Sequence, residues 1–478
     1  MSLGSLLDNL PASVELAAGS GKTWTLADTV RSIAGEEGRV LVVTHTVAGV
    51  QAMISKLREF DIATDLYHVA TLTSFAIELV SAYSKHAGFE VPETVDLNRS
   101  EEYIKGAIAV LQRQHVRDVF SVSYTHVLVD EYQDCSTSQH ALVCALKDAV
   151  PQMAVFGDRL QGIFGFADPI VDWDTDVLPH FPRFHMDQVP RRWQGHNEDL
   201  GAWLLSLRPR LTAGEVFDFG QALPNGVTFV PKTPAGFELI NAARQRRGDG
   251  ETVVVITAPH LHSARPIAAR LSGYAVMEEM SGSFMSKRLV SLAACDPSNY
   301  ATWLVMAAKD CFTGYAKVDK GVLGRLNKGM PVATLKRPGL EGTLAAIDRV
   351  QASAELSVLA KAMDEIRQAR EGQLHSREAW RDMTAVVEAC ALDPERVMSA
   401  ELARVRERVR HRGRSGQRRT VSRTLLIKGL EYDHVIIANI ADISDACNLY
   451  VALSRARKSI TIIGPSPRVS ITETPKGR

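Results

Sequence analysis

The chain has 478 residues, 45% of them hydrophobic and 23% charged, which excludes a disordered or collagen-like polymer and asks for two or three separate cores. Lys and Arg number 55, as do Asp and Glu, so a globally basic nucleic-acid coat is excluded and any surface for a polyanion has to be local. The six cysteines form no CxxC pair and show no histidine at metal spacing, no apolar run reaches about 18 residues, and the N-terminus lacks a signal pattern; reduced thiols, no membrane partner and a cytoplasmic location are the expectation.

In chain order, residues 14–17, a glycine loop, 24–34 and 40–43 read as strand, loop, helix and strand, the alternation of a crossover unit in a parallel sheet. Helical sequence follows, strongest at 101–116, and is assigned as an insertion at about 76–123. Residues 126–129 and 153–156 are buried-type strands that run into acidic residues, at the edge where a parallel sheet presents its ligands. A Gly- and Pro-rich stretch at 211–236 marks a boundary, and 252–256 opens a second sheet that 435–437 and 460–463 complete. The detour between them is helical, with runs at 352–369 and 375–391. The expected fold class is therefore α/β, two parallel-sheet domains with helical insertions: 1–210 first, 211–283 with 415–478 second, and 284–414 a helical insertion domain. Arginines from Arg404 to Arg423 form the most basic stretch, readable as a solvated linker or as a phosphate contact.

Between the first strand and helix stand Gly19, Ser20, Gly21, Lys22 and Thr23. Glycines there let backbone N–H groups curl round a phosphate while the helix dipole adds its positive end. Lys22 then reaches the β- and γ-phosphates of ATP, and Thr23 offers a hydroxyl to Mg2+. Leu16 stands where the general phosphate-loop pattern has its first glycine, and a Gly-rich turn without nucleotide is the bland alternative. Asp130 and Glu131 follow a strand and divide the labour of in-line phosphoryl transfer: Asp130 holds Mg2+ and Glu131 polarises the attacking water.

Five further stretches continue this order: Thr44-His45-Thr46 with Met53 and Lys56, Thr71 to Phe75, Gly157 to Phe166, Thr424 to Glu431, and Tyr450 to Ala456. The set resembles the UvrD/Rep family of superfamily-one DNA helicases, in a short form. That resemblance implies two RecA-like P-loop NTPase domains, ATP and Mg2+ as cofactors, and hydrolysis coupled to movement on single-stranded DNA or single/double-strand junctions. By the same resemblance Gln161 senses the γ-phosphate, Arg191 and Arg455 act as arginine fingers, and Glu431 approaches the ribose. Thr46, Thr73, Ser74, Phe75, Phe164 and Phe166 fall where the family contacts the strand. Stacking offers roughly 1–3 kcal/mol per base without reading sequence, although each phenylalanine taken singly also has a core reading.

The departures are specific. No glutamine occurs among residues 1–15 to read adenine, Leu425 replaces a histidine, and Ala167 replaces an arginine. The helical insertions are short for the family, so unaided unwinding is not implied. Short helicases of this kind also resemble components of bacterial antiviral defence, such as the helicase-like subunit of the Gabija anti-phage system. This gives a second expectation: a non-unwinding, nucleotide-gated sensor or regulatory ATPase that controls a partner nuclease. No nuclease constellation is read after Arg455.

Overall fold

The computed structural model describes residues 3–36, 38–92, 96, 99–163, 169–258, 264–279, 281–315, 318, 320–412 and 417–471. The chain divides into two compact units: Met1–Phe229 with Ile443–Ile460 and Ser466–Arg478, and Val230–Asp442 with Thr461–Pro465.

The first unit is built on strands β1 (Ala12–Glu15), β2 (Val40–Thr44), β3 (Tyr67–Thr71), β4 (His126–Val129), β5 (Met153–Gly157) and β6 (Arg183–Phe184). They lie in the order β3-β2-β4-β5-β1-β6, and every pairing is parallel. Successive strand residues point to opposite faces. Val40, Val42, Leu128, Ala154 and Phe156 therefore join a core with Leu26, Val30, Met53 and Leu57. Leu41, Val43, Val127, Val129, Met153 and Val155 join another with Phe75, Tyr103, Leu142 and Leu146. Both faces of the sheet are covered, which is why β2, β4 and β5 read as continuous apolar runs rather than alternating ones. The stretch expected as an insertion contributes helices Leu72–Ala82, Ser100–Leu111 and Gln114–Ser123, and their apolar faces belong to that same second core.

The other sheet runs, in spatial order, Ala275–Val276, Arg419–Arg423, Val253–Thr257, Tyr432–Ile437, Ala456–Gly464, Val227–Pro231. The first four are mutually parallel. The chain changes unit inside the last two strands, at Phe229–Val230 and at Ile460–Thr461. The boundary thus falls within the Gly- and Pro-rich stretch, but later than residue 211, and 443–460, expected in the second domain, pack into the first unit.

The helical part of the second unit has its own core around Trp303, Ile347, Met363 and Trp380. Two expectations change there. Residues 352–369 are not one helix: Glu341–Ser353 ends where Ala354 takes φ 54, and Leu356–Ala369 begins afresh. The arginine-rich stretch is helical over Met398–Arg412, and Arg406 is neither linker nor exposed phosphate contact. It is buried, donating to Asp382 at 2.7 Å and to the Glu279 carbonyl at 2.8 Å.

Candidate nucleotide site

Helix Lys22–Ala34 starts directly after Gly21, whose φ of 86° suits glycine. Room is short as well: a Cβ at Gly21 would sit 2.7 Å from Arg191 Cδ, and one at Gly19 would sit 2.7 Å from the Trp193 ring. The loop is held against the turn Arg191–Trp193, with the Arg192 amide donating to the Gly19 carbonyl at 3.0 Å. Arg191 is exposed, its guanidinium 4.8 Å from the centre of the Trp24 ring. Ser20 Oγ is buried in the loop without a hydrogen-bond partner among the described residues.

Strand β4 delivers the acids. Lys22 Nζ lies 2.9 Å from Asp130 Oδ1 and also bonds Glu131 Oε1. Burial works against the ammonium, yet the two carboxylates outweigh it and hold its pKa above the ordinary lysine range. Burial likewise pushes the Asp130 carboxyl up, but with an ammonium 2.9 Å away we assign an ionic trio. Glu131 sits at φ 56°, a left-handed conformation that costs a non-glycine residue about 1–2 kcal/mol. The turn aims its carboxylate back at Lys22, where Gln133 Nε2 holds the second oxygen.

A chain of bonds leads onward from Gln133. Its Oε1 accepts from the Asp158 amide at 2.9 Å. Asp158, fully buried after β5, accepts from the Ala18 amide at 2.9 Å, from Gln161 Nε2 at 3.0 Å and from Arg208 Nη1 at 2.8 Å. Gln161 Oε1 in turn accepts from Arg455 Nη2 at 3.0 Å. Arg455 follows helix Ala446–Ser454 and is fully buried, also donating to the Val451 carbonyl at 3.0 Å. The Tyr450 hydroxyl accepts from the Ala18 amide at 3.2 Å, and burial pushes its pKa up to about 12 although Arg208 stands beside it. The catalytic candidates Lys22, Glu131, Gln161 and Arg455 thus share one hydrogen-bonded network inside the first unit.

Other expected residues fall elsewhere. Thr23 is half-buried in the first turn of the loop helix. Thr46 and Thr71 cap their helices by accepting from the Gly49 and Ser74 amides, each at 3.0 Å. Thr73 is half-buried, and Ser74 is exposed. Phe75 is 3% exposed and meets Phe120 edge-on at 5.9 Å, so it offers no ring face for a base here. Phe164 and Phe166 lie outside the described residues. Glu431 is exposed and belongs to the second unit.

Sequence reasoning passed over Gln133, Asp158, Tyr450 and Arg208 as site residues. Asp158 and Tyr450 stand inside the quoted stretches and Gln133 two residues past Glu131, but nothing local there shows that they converge; Arg208, on helix Glu198–Thr212, lies outside every quoted stretch. Trp193 is buried, and its Nε1 donates to the Ala456 carbonyl at 2.7 Å. A concavity of about 1150 Å³ in the second unit, lined in part by Arg367, Arg377, Arg381, Arg418 and Arg419, includes none of these residues.

Residues 96–170 match the family model described as UvrD/REP helicase N-terminal domain, a segment that holds Asp130, Glu131, Gln133, Asp158 and Gln161. The chain is similar to the crystal structure of Pif1 helicase from Candida albicans, at 14% identity over 52% of this chain and 53% of that one, with a TM-score of 0.29. It spans about half the length of that solved relative. No curated protein matches the chain. The expected fold class, α/β with two parallel sheets, is the one observed, and among the described residues no helix is long and apolar enough to cross a membrane. Neither match names a Gabija system, an antiviral role or a nuclease.

Proposed function

We propose that this chain is an ATP-dependent DNA translocase or helicase of the UvrD/Rep type, moving on single-stranded DNA. The observation that carries the reading is the network from Lys22 and Glu131 through Gln133, Asp158 and Gln161 to Arg455. The loop fits a triphosphate: a helix of 13 residues starts there, glycines occupy its two left-handed positions, and Ser20 Oγ is a buried hydroxyl in want of a partner.

ATP with Mg2+ supplies the transferable phosphoryl group and the cation that offsets its charge. Lys22 exchanges its carboxylate partners for phosphate oxygens, freeing Asp130 for the cation, beside Thr23, and Glu131 for water. Gln133 keeps the Glu131 carboxylate turned inward while it polarises that water. Gln161 reports the state of the phosphate to Arg455, and Arg191 closes the loop's exposed side. Thr46, Thr73, Ser74, Phe164 and Phe166 are the proposed strand contacts.

The test is ATP hydrolysis with and without single-stranded DNA, paired with displacement of an annealed oligonucleotide. A translocase hydrolyses faster with the strand, and the stimulation falls with salt as phosphate contacts are screened. Hydrolysis indifferent to DNA, without displacement until a nuclease partner is added, supports the regulatory ATPase instead.

A further inference from the structure

Helix Thr137–Ala149 places His140 and Cys144 one turn apart, and the segment after a π-helical turn at Trp173–Val177 brings His180 beside them. One donor atom from each of the three lies within 4.8 Å of the others. Sequence reading found no histidine at metal spacing near a cysteine; the i,i+4 spacing of His140 and Cys144 is such a spacing once the segment is helical. We propose that His140 Nε2, Cys144 Sγ and His180 form a binding site for a borderline-soft divalent transition ion, with Zn2+ as the natural occupant and water as its fourth ligand.

Geometry carries the proposal. A tetrahedral ion with a Zn–S bond of about 2.3 Å and a Zn–N bond of about 2.0–2.1 Å sets an S···N edge of about 3.5 Å. The Cys144 Sγ to His140 Nε2 separation is 3.5 Å. The ring is already oriented: His140 Nδ1 meets the Tyr132 hydroxyl at 2.7 Å, which leaves Nε2 facing the thiol. Such a partner on the far nitrogen is the usual support of a ligating imidazole. His180 is exposed, with ring centroids 5.4 Å from His140, and so gives the ion an entry side.

The surroundings are mixed in charge. Asp176 favours a cation, and the Lys147 ammonium, which opposes one, is engaged on the His180 carbonyl at 3.3 Å and over the Phe181 ring. Burial lowers the His140 pKa and keeps the ring neutral, as a ligand must be. Burial raises that of the Cys144 thiol, so coordination displaces one thiol proton to solvent as the S–metal bond forms. An occupied site ties helix Thr137–Ala149 to the segment bearing His180, next to Tyr132 and hence one residue from Glu131.

Titration of the purified full chain with Co2+, and separately with Zn2+, tests this. One ion per chain, a thiolate-to-cobalt charge-transfer band, and a rise in melting temperature with Zn2+ are expected. Cys144→Ser removes the band, His140→Ala weakens binding at least tenfold, and Tyr132→Phe, which loses only the orienting hydroxyl, weakens it roughly 10–100-fold. Circular dichroism of the metal-free variants checks that they fold. A chain that takes up neither ion, or a band that persists in Cys144→Ser, overturns the assignment.

Discussion

Two of the buried charge clusters among the described residues are built differently. Around the phosphate loop, Lys22 faces Asp130 and Glu131, but the Glu131 side chain is 31% exposed, its backbone is left-handed, and the trio adjoins the free end of a helix. In the second unit, Arg406 faces Asp382 and Glu378 with side chains 4%, 1% and 9% exposed, closed in by the core that holds Trp380, Met383 and Leu402. The first arrangement can change partners; the second cannot do so without unfolding. Buried charge alone therefore says little about chemistry. What marks the loop is strain and an orphaned hydroxyl, Ser20 Oγ, beside the charge.

The sharpest way to break this comparison is Glu131→Gln. It preserves shape and the contact with Gln133 while removing the charge that polarises water, so kcat should fall about 10²–10⁴-fold with nucleotide affinity kept. Lys22→Ala should lose affinity as well, leaving two carboxylates together. ATP turnover in Glu131→Gln within twofold of the parent would mean that the loop network is as structural as the one around Arg406.

Arg406→Ala probes the other side. Removing one member of a buried pair costs about 3–5 kcal/mol, and the low end is expected because Arg381 still faces Asp382 at 2.8 Å. Urea midpoints should show this loss, with turnover per folded molecule unchanged. Arg455→Lys lies between the two: it forfeits the 3.0 Å bond to Gln161, leaves a buried acceptor short at a cost of about 1–3 kcal/mol, and should lower kcat more than affinity. If only stability changed, Arg455 would belong with Arg406 as a structural charge.

The contrast also explains which features were legible in the sequence. Strand β4 is found at the residues expected, and the loop and its acids were in view, because each depends on neighbours a few positions away. The Asp158 cluster was not, since Ala18, Arg208 and Tyr450 converge across separations of 140, 50 and, from Ala18 to Tyr450, 432 positions. The break at Ala354 carried no glycine to announce it. Phe75 was misread toward the strand contact because motif position specifies a place along the chain, whereas burial depends on Phe120, on another helix.

The smallest expected effect is a pH dependence seated in the second unit. Burial, reinforced by Arg265, lowers the His375 pKa from 6.5 to about 4. The unfolded chain therefore takes up this proton as pH falls past about 6.5 while the folded chain refuses it until near 4. Stability should be whole above that window and decline through it. Lys22 runs the other way: its raised value keeps its contribution intact across the same acid range, to be lost only in alkali. Urea midpoints at pH 7 and pH 5 should thus differ less for His375→Gln than for the parent chain. An identical drop in both would take His375 out of the acid response and leave the contrast to rest on the ion pairs alone.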